Sequence, residues 1–284
     1  MDKVLKGKPV AEKLYEESRI IAEKYKGVPK LLSVMIGGDE ASKQYVRSKS
    51  KKLSALGFEF ELLELPDEIT ENEAREKIGD AIESLNPDGI IIERPVPKHM
   101  DFWQLAELIP PISDIDCQRY DSLGRLMAGN PIFVPATAGA VVELLRFYGI
   151  KTAGKRITLI GRSLTVGLPL SVMLLWKNDY GNATLTVCHS RTKELQDSLK
   201  NAEIIISAAG KSGLIKREMV SDGVIVIDVG INFVNGKLVG DVDFEGVSMK
   251  AAAITPVPGG VGAVTTAYLI KNLAKAFELR KKLA

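Results

Sequence analysis

The stretch that decides the fold is residues 156–169, RITLIGRSLTVGLP. Residues 156–160 form an apolar run typical of a buried strand, and residues 161–167 form a turn bounded by two glycines. A helix is predicted from Leu168 to Trp176, with Pro169 suited to its first turn. Backbone N–H groups and the positive helix end collect a phosphate at such a place. The spacing is not G-x-G-x-x-G, so on spacing alone a plain glycine-rich turn remains an equal alternative.

Strands and helices continue to alternate beyond this turn. The pattern predicts strands at residues 183–187, 203–207 and 224–229, with a helix near residues 193–201. Asn235-Gly236 between two short apolar runs predicts a type I′ hairpin. This series is typical of a doubly wound nucleotide-binding domain.

Alternation also organises the region before residue 138. Apolar runs predict strands at residues 31–36, 58–65 and 88–92, with helices between them; Thr70 and Glu73 form a capping box at the start of the second helix. Strands separated by helices of ten or more residues imply a parallel sheet. We therefore predict an α/β protein of two domains, 1–137 with a returning C-terminal helix at 263–284, and 138–262.

Composition excludes several classes of function. The 284 residues include 38 Lys plus Arg, 36 Asp plus Glu and 45% hydrophobic residues, and the charges are scattered, so nucleic acid is not an expected partner. No apolar run approaches the roughly 20 residues that cross a bilayer, and the start lacks a signal-peptide pattern, which together predict a cytoplasmic protein without membrane contact. Cys117 and Cys188 are expected to be reduced. With His99 and His189 as the only histidines, we expect no metal site and no Ser-His-Asp relay.

The residues after the strand at 183–187 bear on the choice of dinucleotide. NAD sites usually place an acidic residue there to hold the ribose hydroxyls, whereas this chain has Cys188-His189-Ser190-Arg191-Thr192. A hydroxyl and a cation suit a 2′-phosphate, which favours NADP. A solvated arginine at a helix start is the alternative for Arg191.

Tyr45 and Lys49 lie four residues apart on a predicted helix and therefore share a face. Basic residues surround them, so a solvated basic helix with an incidental tyrosine is the alternative. Short-chain dehydrogenases use the same Tyr-x-x-x-Lys spacing, but there it follows the nucleotide turn, and here it precedes Gly161 by over a hundred residues. That family fits poorly.

Several motifs in order resemble the bifunctional 5,10-methylenetetrahydrofolate dehydrogenase and 5,10-methenyltetrahydrofolate cyclohydrolase family, and the resemblance spans the chain. The segments that carry it are Tyr45-Val46-x-x-Lys49, the turn at 161–169, residues 227–232, residues 240–242 and TPVPGGVG at 255–262. The resemblance implies a Rossmann-like NADP domain, a reduced folate substrate, a homodimer, and a place in one-carbon metabolism and purine biosynthesis. It also implies that the last helix packs back on the first domain.

The resemblance assigns roles only where residues match. Lys49 is the implied proton-handling residue, Tyr45 borders the folate, and Asp116 holds the pterin, since a carboxylate can accept two parallel hydrogen bonds. Without the resemblance, Asp116 would be an ordinary loop carboxylate. The implied NADP contacts are Gly161, Arg162, Ser163, Ser190, Arg191, Gly230 and Ile231. The implied substrate-binding backbone, where glycines allow close approach, is Pro256, Gly259 and Gly260, although a plain Pro/Gly linker is the alternative.

Three departures from the family pattern fall around the expected folate pocket. The glutamine of Gln-x-Pro-x-Pro is Glu93 here, Lys-Asp-Val-Asp-Gly becomes residues 113–117, SDIDC, and Pro-Cys-Thr-Pro-x-Gly becomes residues 135–139, PATAG. The nucleotide turn and the closing motif are kept. Two other functions stay open: a dehydrogenase acting on another reduced pterin carrier, and a regulatory protein that binds NADP without catalysis.

Glu93 follows a buried strand, at the edge where parallel sheets bind ligands. Hydride transfer needs little acid-base help, but cyclohydrolase chemistry needs a lysine able to give up its proton. An ionised glutamate would stabilise the charged ammonium, so we hypothesise that Glu93, counted with Lys49, Tyr45 and Asp116 as a candidate catalytic residue, weakens the cyclohydrolase step. Alternatively, Glu93 is protonated by burial or is itself the base, and both activities persist; a solvated loop glutamate is the remaining possibility.

Overall fold

The computed structural model describes residues 3–38 and 40–283, in which strands and helices alternate. The strands are β1 (Lys30–Ile36), β2 (Glu59–Leu65), β3 (Gly89–Ile92), β4 (Arg156–Ile160), β5 (Thr184–Cys188), β6 (Ile204–Ser207), β7 (Ile225–Asp228), β8 (Asn232–Val234), β9 (Lys237–Val239) and β10 (Ala253–Ile254). The helices are α1 (Gly7–Lys24), α2 (Glu40–Ala55), α3 (Glu71–Leu85), α4 (Phe102–Ala106), α5 (Tyr120–Met127), α6 (Ala136–Phe147), α7 (Gly167–Leu175), α8 (Leu195–Lys200), α9 (Phe244–Ser248) and α10 (Val261–Leu283). Short 3-10 turns lie at Pro111–Ser113 and Arg217–Met219.

The chain divides into two units. The β1 unit comprises Leu14–Val134 and the chain from Leu269 onward, and the β4 unit comprises the chain up to Lys13 and Pro135–Tyr268. This division differs from the sequence-based one, which gave residues 1–137 to the first domain. The early residues join the β4 unit because Val4 bridges Ile254 of β10 and the Gly7 N–H donates to the Gly259 carbonyl at 2.7 Å.

In the β1 unit, β1 lies at the centre of a parallel sheet of order β2-β1-β3. After its first residue β1 is buried throughout, and Leu32, Val34 and Ile36 pack with β3 and α3 in one core. The predicted capping box forms, with the Glu73 N–H donating to the Thr70 hydroxyl. The C-terminal helix returns to this unit as expected: the Asn272 side-chain amide donates to the carbonyls of Ile115 and Val134 at 2.8 and 3.0 Å.

In the β4 unit, five parallel strands follow the order β10-β7-β6-β4-β5. β4 lies between β5 and β6, so the strands that follow it in the chain are added to the sheet on both of its sides. Open α/β sheets bind ligands at such a switch point. The predicted hairpin forms from β8 and β9, with Asn235 at φ 51° and Gly236 at φ 73°, as a type I′ turn requires. The prediction of an α/β protein with a Rossmann-like domain is confirmed.

Candidate functional sites

The turn between β4 and α7 depends on its two glycines. Gly161 adopts φ +122°, and a Cβ there would lie 2.3 Å from the backbone oxygen of Ala208. A Cβ on Gly167 would lie 2.3 Å from the backbone oxygen of Gly161. The Gly161 N–H donates to the Cys188 carbonyl of β5 at 2.9 Å. A side chain at either end of the turn would therefore overlap neighbouring backbone, so only glycine fits at positions 161 and 167.

Ser163 organises the start of α7. Its hydroxyl oxygen accepts hydrogen bonds from the N–H groups of Val166 and Gly167, at 3.1 and 3.4 Å. Arg162 and Ser163 are both exposed, so a guanidinium and a hydroxyl are open to solvent beside the start of α7. This combination suits an anionic phosphate.

Ser190 and Arg191 occupy the tip of a tight turn after β5. The His189 N–H donates to the Thr192 hydroxyl at 2.8 Å, and the Thr192 N–H donates to the His189 carbonyl at 2.8 Å. Both tip residues are exposed. Because Ile160 of β4 and Cys188 of β5 are paired in register, this turn and the Gly161 turn leave the same edge of the sheet. The structure therefore brings these two sets of predicted cofactor residues to one edge.

A third group of predicted residues surrounds a small cavity. The cavity has a volume of about 110 Å³, and its lining includes Gly230, Ile231, Pro256, Gly259 and Gly260. A Cβ on Gly260 would lie 2.4 Å from the Pro256 oxygen, and Gly259 adopts φ +97°. The closing motif is therefore a tightly folded backbone wall of this cavity.

Two buried carboxylates hold the loops behind this cavity. Asp228 accepts hydrogen bonds from the N–H groups of Gly230, Asp241 and Val242 at 2.9–3.0 Å. Asp241 accepts the Ser207 hydroxyl at 2.9 Å. Burial raises the pKa of Asp228 to about 6, the three N–H donors oppose that rise, and the charge of Asp241 adds to it. Asp228 and Asp241 lie in two of the segments that carry the family resemblance, but the sequence predicted no role for either side chain.

A second site, the Lys49 site, lies in the β1 unit and consists of Ser33, Tyr45, Lys49 and Glu93. Lys49 is completely buried, and its Nζ lies 2.5 Å from Glu93 Oε1. The Ser33 hydroxyl donates to the same oxygen. Lys49 Nζ also lies 5.0 Å from the centre of the Tyr45 ring, which is 41% exposed. The alternative of a solvated basic helix is therefore wrong for Lys49, although Arg47, Lys51 and Lys52 of the same helix are exposed.

Local folding explains how these groups meet. Val46, Lys49 and Leu53 are all buried at helical spacing, so they form the inward face of α2. Glu93 directly follows β3, and its N–H extends the ladder to β1 by donating to the Val34 carbonyl at 2.8 Å. Ser33 was not predicted as a site residue. It is a polar residue inside the apolar run of β1, and that interruption is the signal in the sequence that could have identified it.

Asp116 lies on a segment that is tied to the end of β3. The Gln118 side-chain oxygen accepts a hydrogen bond from the Ile92 N–H, and its amide nitrogen donates one to the Ile92 carbonyl, both at 2.9 Å. Asp116 is half-buried, and its charge opposes the lowering of the Arg94 pKa that burial causes. The Arg94 guanidinium lies 3.4 Å from the centre of the Phe102 ring. Arg94 and Gln118 were not singled out from the sequence.

Cys117, next to Asp116, is buried and adopts φ +55°. Burial raises the pKa of its thiol, and the negative charge of nearby carboxylates raises it further. Cys188 is also free and buried. Across the part of the chain that the structure describes, no three His, Cys, Asp or Glu residues are grouped in a way that could hold a metal ion. Nor is any helix of residues 3–38 and 40–283 long and apolar enough to traverse a bilayer.

Comparison with protein families gives two adjacent matches. Residues 5–116 match the catalytic domain of tetrahydrofolate dehydrogenase/cyclohydrolase, and residues 135–281 match the NAD(P)-binding domain of the same family. Together they cover most of the chain and include every candidate residue described above.

Individual relatives agree over nearly full length. The chain is 40% identical over 283 residues to the bifunctional protein FolD of Caldanaerobacter subterraneus, covering 98% of each, and 45% identical over 260 residues to that of Flavobacterium johnsoniae, covering 89% and 88%. The crystal structure of the bifunctional FolD enzyme of Campylobacter jejuni has a TM-score of 0.92 at 39% identity, covering 98% of this chain and 99% of that one. The Trypanosoma brucei enzyme, solved with NADP cofactor and an inhibitor, has a TM-score of 0.88 at 36% identity, with 99% and 97% covered.

Proposed function

The chain belongs to the tetrahydrofolate dehydrogenase/cyclohydrolase family, and we propose that it oxidises 5,10-methylenetetrahydrofolate with NADP and hydrolyses the methenyl product to 10-formyltetrahydrofolate. The observation that carries this proposal is the match of the family's catalytic and NAD(P)-binding domains to residues 5–116 and 135–281. In this proposal the β1 unit, which holds most of residues 1–137 and of the C-terminal helix at 263–284, is the folate-binding domain, and the β4 unit, which holds residues 138–262, is the NADP domain.

The residues at the edge of the β4 unit fit NADP. Glycine-bounded backbone at Gly161 lets a phosphate approach closely, with Arg162 and Ser163 beside it. Ser190 and Arg191 supply a hydroxyl and a cation where the ribose 2′-phosphate would lie, and Gly230 and Ile231 line the cavity beyond. NADP, when bound, accepts a hydride and so takes two electrons from the substrate.

The Lys49 site and Asp116 supply groups suited to the folate. The exposed face of Tyr45 offers a ring against which the folate can lie, and Asp116 offers a carboxylate for the pterin amino group and ring N–H. Pro256, Gly259 and Gly260 are the proposed substrate-binding backbone. Loss of hydride leaves a methenyl cation that the folate's own nitrogens stabilise, so this step needs no proton from the protein.

Hydrolysis makes a different demand. Water adds to the methenyl carbon and loses a proton, and the ring nitrogen that leaves the carbon must then gain one, which general acid-base catalysis by Lys49 can supply. Glu93 Oε1 is 2.5 Å from the lysine nitrogen, so the amine that hydrolysis needs is already engaged by a carboxylate. Our proposal is therefore that hydrolysis is slow relative to hydride transfer.

From the family resemblance we also propose a cytoplasmic homodimer that serves one-carbon metabolism and purine biosynthesis. Sedimentation equilibrium of the purified chain tests the dimer. A mass near the 30.9 kDa of one chain across micromolar concentrations would contradict it.

A spectrophotometric time course with methylenetetrahydrofolate and NADP tests the activity, with NADPH and the methenyl intermediate followed separately where spontaneous hydrolysis is slow. Methenyl accumulation in step with NADPH supports a dehydrogenase with an impaired cyclohydrolase. NADPH without methenyl accumulation would show both steps running and contradict the role of Glu93. No NADPH would contradict the proposed function and point to another pterin carrier.

A further inference from the structure

The β8–β9 hairpin carries an exposed aromatic side chain beside the small cavity of the β4 unit. Phe233 is 62% exposed, whereas Phe147, the next most exposed phenylalanine, is 40% exposed. Ile231, just before β8, is also exposed, and it lines the cavity together with Leu238 of β9. Exposed apolar side chains that lie together in this way commonly mark a place where a ligand or a partner binds.

The register of the hairpin places Phe233 next to the cavity. Phe233 pairs directly with Leu238. Directly opposed residues of an antiparallel pair lie on the same face, with their Cβ atoms about 5 Å apart. Since Leu238 lines the cavity, Phe233 lies on the face of the hairpin that borders it. Val234, one residue later, lies on the other face.

Both ends of the hairpin are anchored by the two buried carboxylates behind the cavity. Asp228 accepts the Gly230 N–H before β8 and the Val242 N–H after β9, at 2.9 and 3.0 Å. The Asn232 side-chain amide donates to Asp241 at 3.0 Å. The hairpin therefore presents Phe233 at a defined place beside the cavity.

The strand order indicates which part of NADP would reach this cavity. Ser190 and Arg191, the proposed contacts of the 2′-phosphate, follow β5, and Gly230 comes shortly after β7. Two strands, β4 and β6, lie between β5 and β7. Neighbouring strands are about 4.8 Å apart, so β5 and β7 are separated by about 14 Å, which suits an extended dinucleotide. The 2′-phosphate belongs to the adenosine half of NADP, so the nicotinamide half falls at the cavity.

We propose that Phe233 is a further cofactor-binding residue, whose ring packs face to face on the nicotinamide ring of NADP and covers it from solvent. The inference rests on the proposed function, because that function supplies the coenzyme. The face of an aromatic ring attracts a cation, and the nicotinamide ring is positively charged in NADP and neutral in NADPH. Phe233 therefore favours the oxidised coenzyme more than an aliphatic side chain would.

Calorimetric titration with NADP tests the contact, and 2′-phosphoadenosine 5′-diphosphoribose, which lacks only the nicotinamide, is the comparison ligand. In Phe233→Ala we expect the Kd for NADP to rise about tenfold, because the ring contact is lost, and the Kd for the comparison ligand to stay the same. Val234→Ala removes an exposed apolar side chain from the other face of the hairpin and should change neither Kd. An unchanged Kd for NADP in Phe233→Ala, or an equal rise for both ligands, would overturn the proposal.

Phe233→Leu separates the aromatic ring from its apolar character. The Kd for NADP should rise about threefold, because the attraction between the ring face and the cation is lost, and the Kd for NADPH should change less. Equal changes for the two coenzymes would overturn the proposed packing of the two rings.

These titrations contain no folate, which keeps the inference distinct from the proposed function. Absence of methylenetetrahydrofolate oxidation by the unmutated chain would contradict the proposed function, and the Kd values would still decide the role of Phe233. A second copy of the chain is the other possible occupant of this face. Loss of the dimer in Phe233→Ala by sedimentation equilibrium, with an unchanged Kd for NADP, would assign Phe233 to that interface and overturn the proposal.

Discussion

Glu93 Oε1 lies 2.5 Å from Nζ of Lys49, and the lysine has no exposed surface. Removing two charges from water is costly, and the pair is stable only where further hydrogen bonds compensate, as the Ser33 hydroxyl does here. In a family whose second step requires a proton to be taken and returned, we expect such a pair to slow that step more than hydride transfer.

Replacing Glu93 by glutamine should therefore raise hydrolysis relative to oxidation. The amide oxygen can accept the same two hydrogen bonds but carries no charge, so it holds the Lys49 amine less strongly and leaves it freer to act on the substrate. We expect the ratio of cyclohydrolase to dehydrogenase rates near pH 7 to rise about tenfold or more, because one charged hydrogen-bond partner of Lys49 is lost. The coupled time course described above measures the ratio.

Glu83→Gln, which changes an exposed glutamate on α3, is the control and should leave the ratio alone. An unchanged ratio in Glu93→Gln would show that Glu93 is protonated in the site or is itself the base.

Lys49→Gln should lower hydrolysis more than oxidation, which is the opposite of the change expected for Glu93→Gln. Without an amine at this position, general acid-base catalysis is lost and hydrolysis should fall about 100-fold or more. Oxidation should fall less than about tenfold, since hydride loss needs no proton transfer to the protein. Lys52→Gln removes an exposed cation from the same helix and should change neither rate. Equal losses of both activities would mean that Lys49 only holds the folate.

The regular elements were predictable because local pattern and tertiary environment agree. Residues 31–36 and 157–160 are largely apolar runs ended by glycine, and both are buried in strands with parallel neighbours. The hairpin at Asn235-Gly236 follows from two residues that tolerate positive φ. Helices α1, α4, α5 and α9 were not predicted; α4 and α9 have only five residues each, too few for a helical period to be visible.

Partners across the fold were not predictable from local sequence. The Tyr45 and Lys49 spacing gave a shared helix face, but whether that face is buried depends on β1 and β3, which lie elsewhere in the chain. The bond from Ser33 to Glu93 joins two strands and could not be inferred before their order was known. Likewise, the meeting of Asp228 with the backbone of Asp241 and Val242 spans the β8–β9 hairpin.

Coenzyme preference should depend on Arg191. Arg191→Ala is expected to raise the KM for NADP about tenfold or more, because a charge-assisted hydrogen bond to the 2′-phosphate is lost, while the KM for NAD changes little. Lys193→Ala, an exposed cation two residues later, is the control. Initial rates at varied NADP and NAD measure both constants. Equal effects on the two coenzymes would show that Arg191 does not read the 2′-phosphate.

Gly161→Ala should cost both stability and cofactor affinity. The new Cβ would lie 2.3 Å from the Ala208 oxygen at a backbone φ of +122°, and neither the strand nor the turn can yield cheaply. We expect a loss of about 1–3 kcal/mol in urea unfolding and weaker NADP binding by titration calorimetry. Gly79→Ala, at a helical position with open space around the Cβ, should be neutral or stabilising. Full stability and affinity in Gly161→Ala would contradict the role of this turn.

Asp228 should give the stability of the β4 unit a measurable pH dependence. Its pKa is raised by burial from 3.8 to about 6, so between these values the folded chain holds a proton that the unfolded chain has lost. The stabilisation from Asp228 is therefore present below about pH 4 and disappears as the pH rises through about 6, a change of about 3 kcal/mol.

Asp228→Asn removes the titration while keeping one oxygen for the backbone N–H groups. The Asn amide has no second acceptor for Val242, so the variant should be less stable at every pH. The difference between the two proteins in the free energy of unfolding should grow as the pH falls from 7 to 4, because only the aspartate gains a proton. Urea unfolding across this range measures it. A constant difference would mean that Asp228 is ionised in the folded chain throughout, so that the backbone donors outweigh burial.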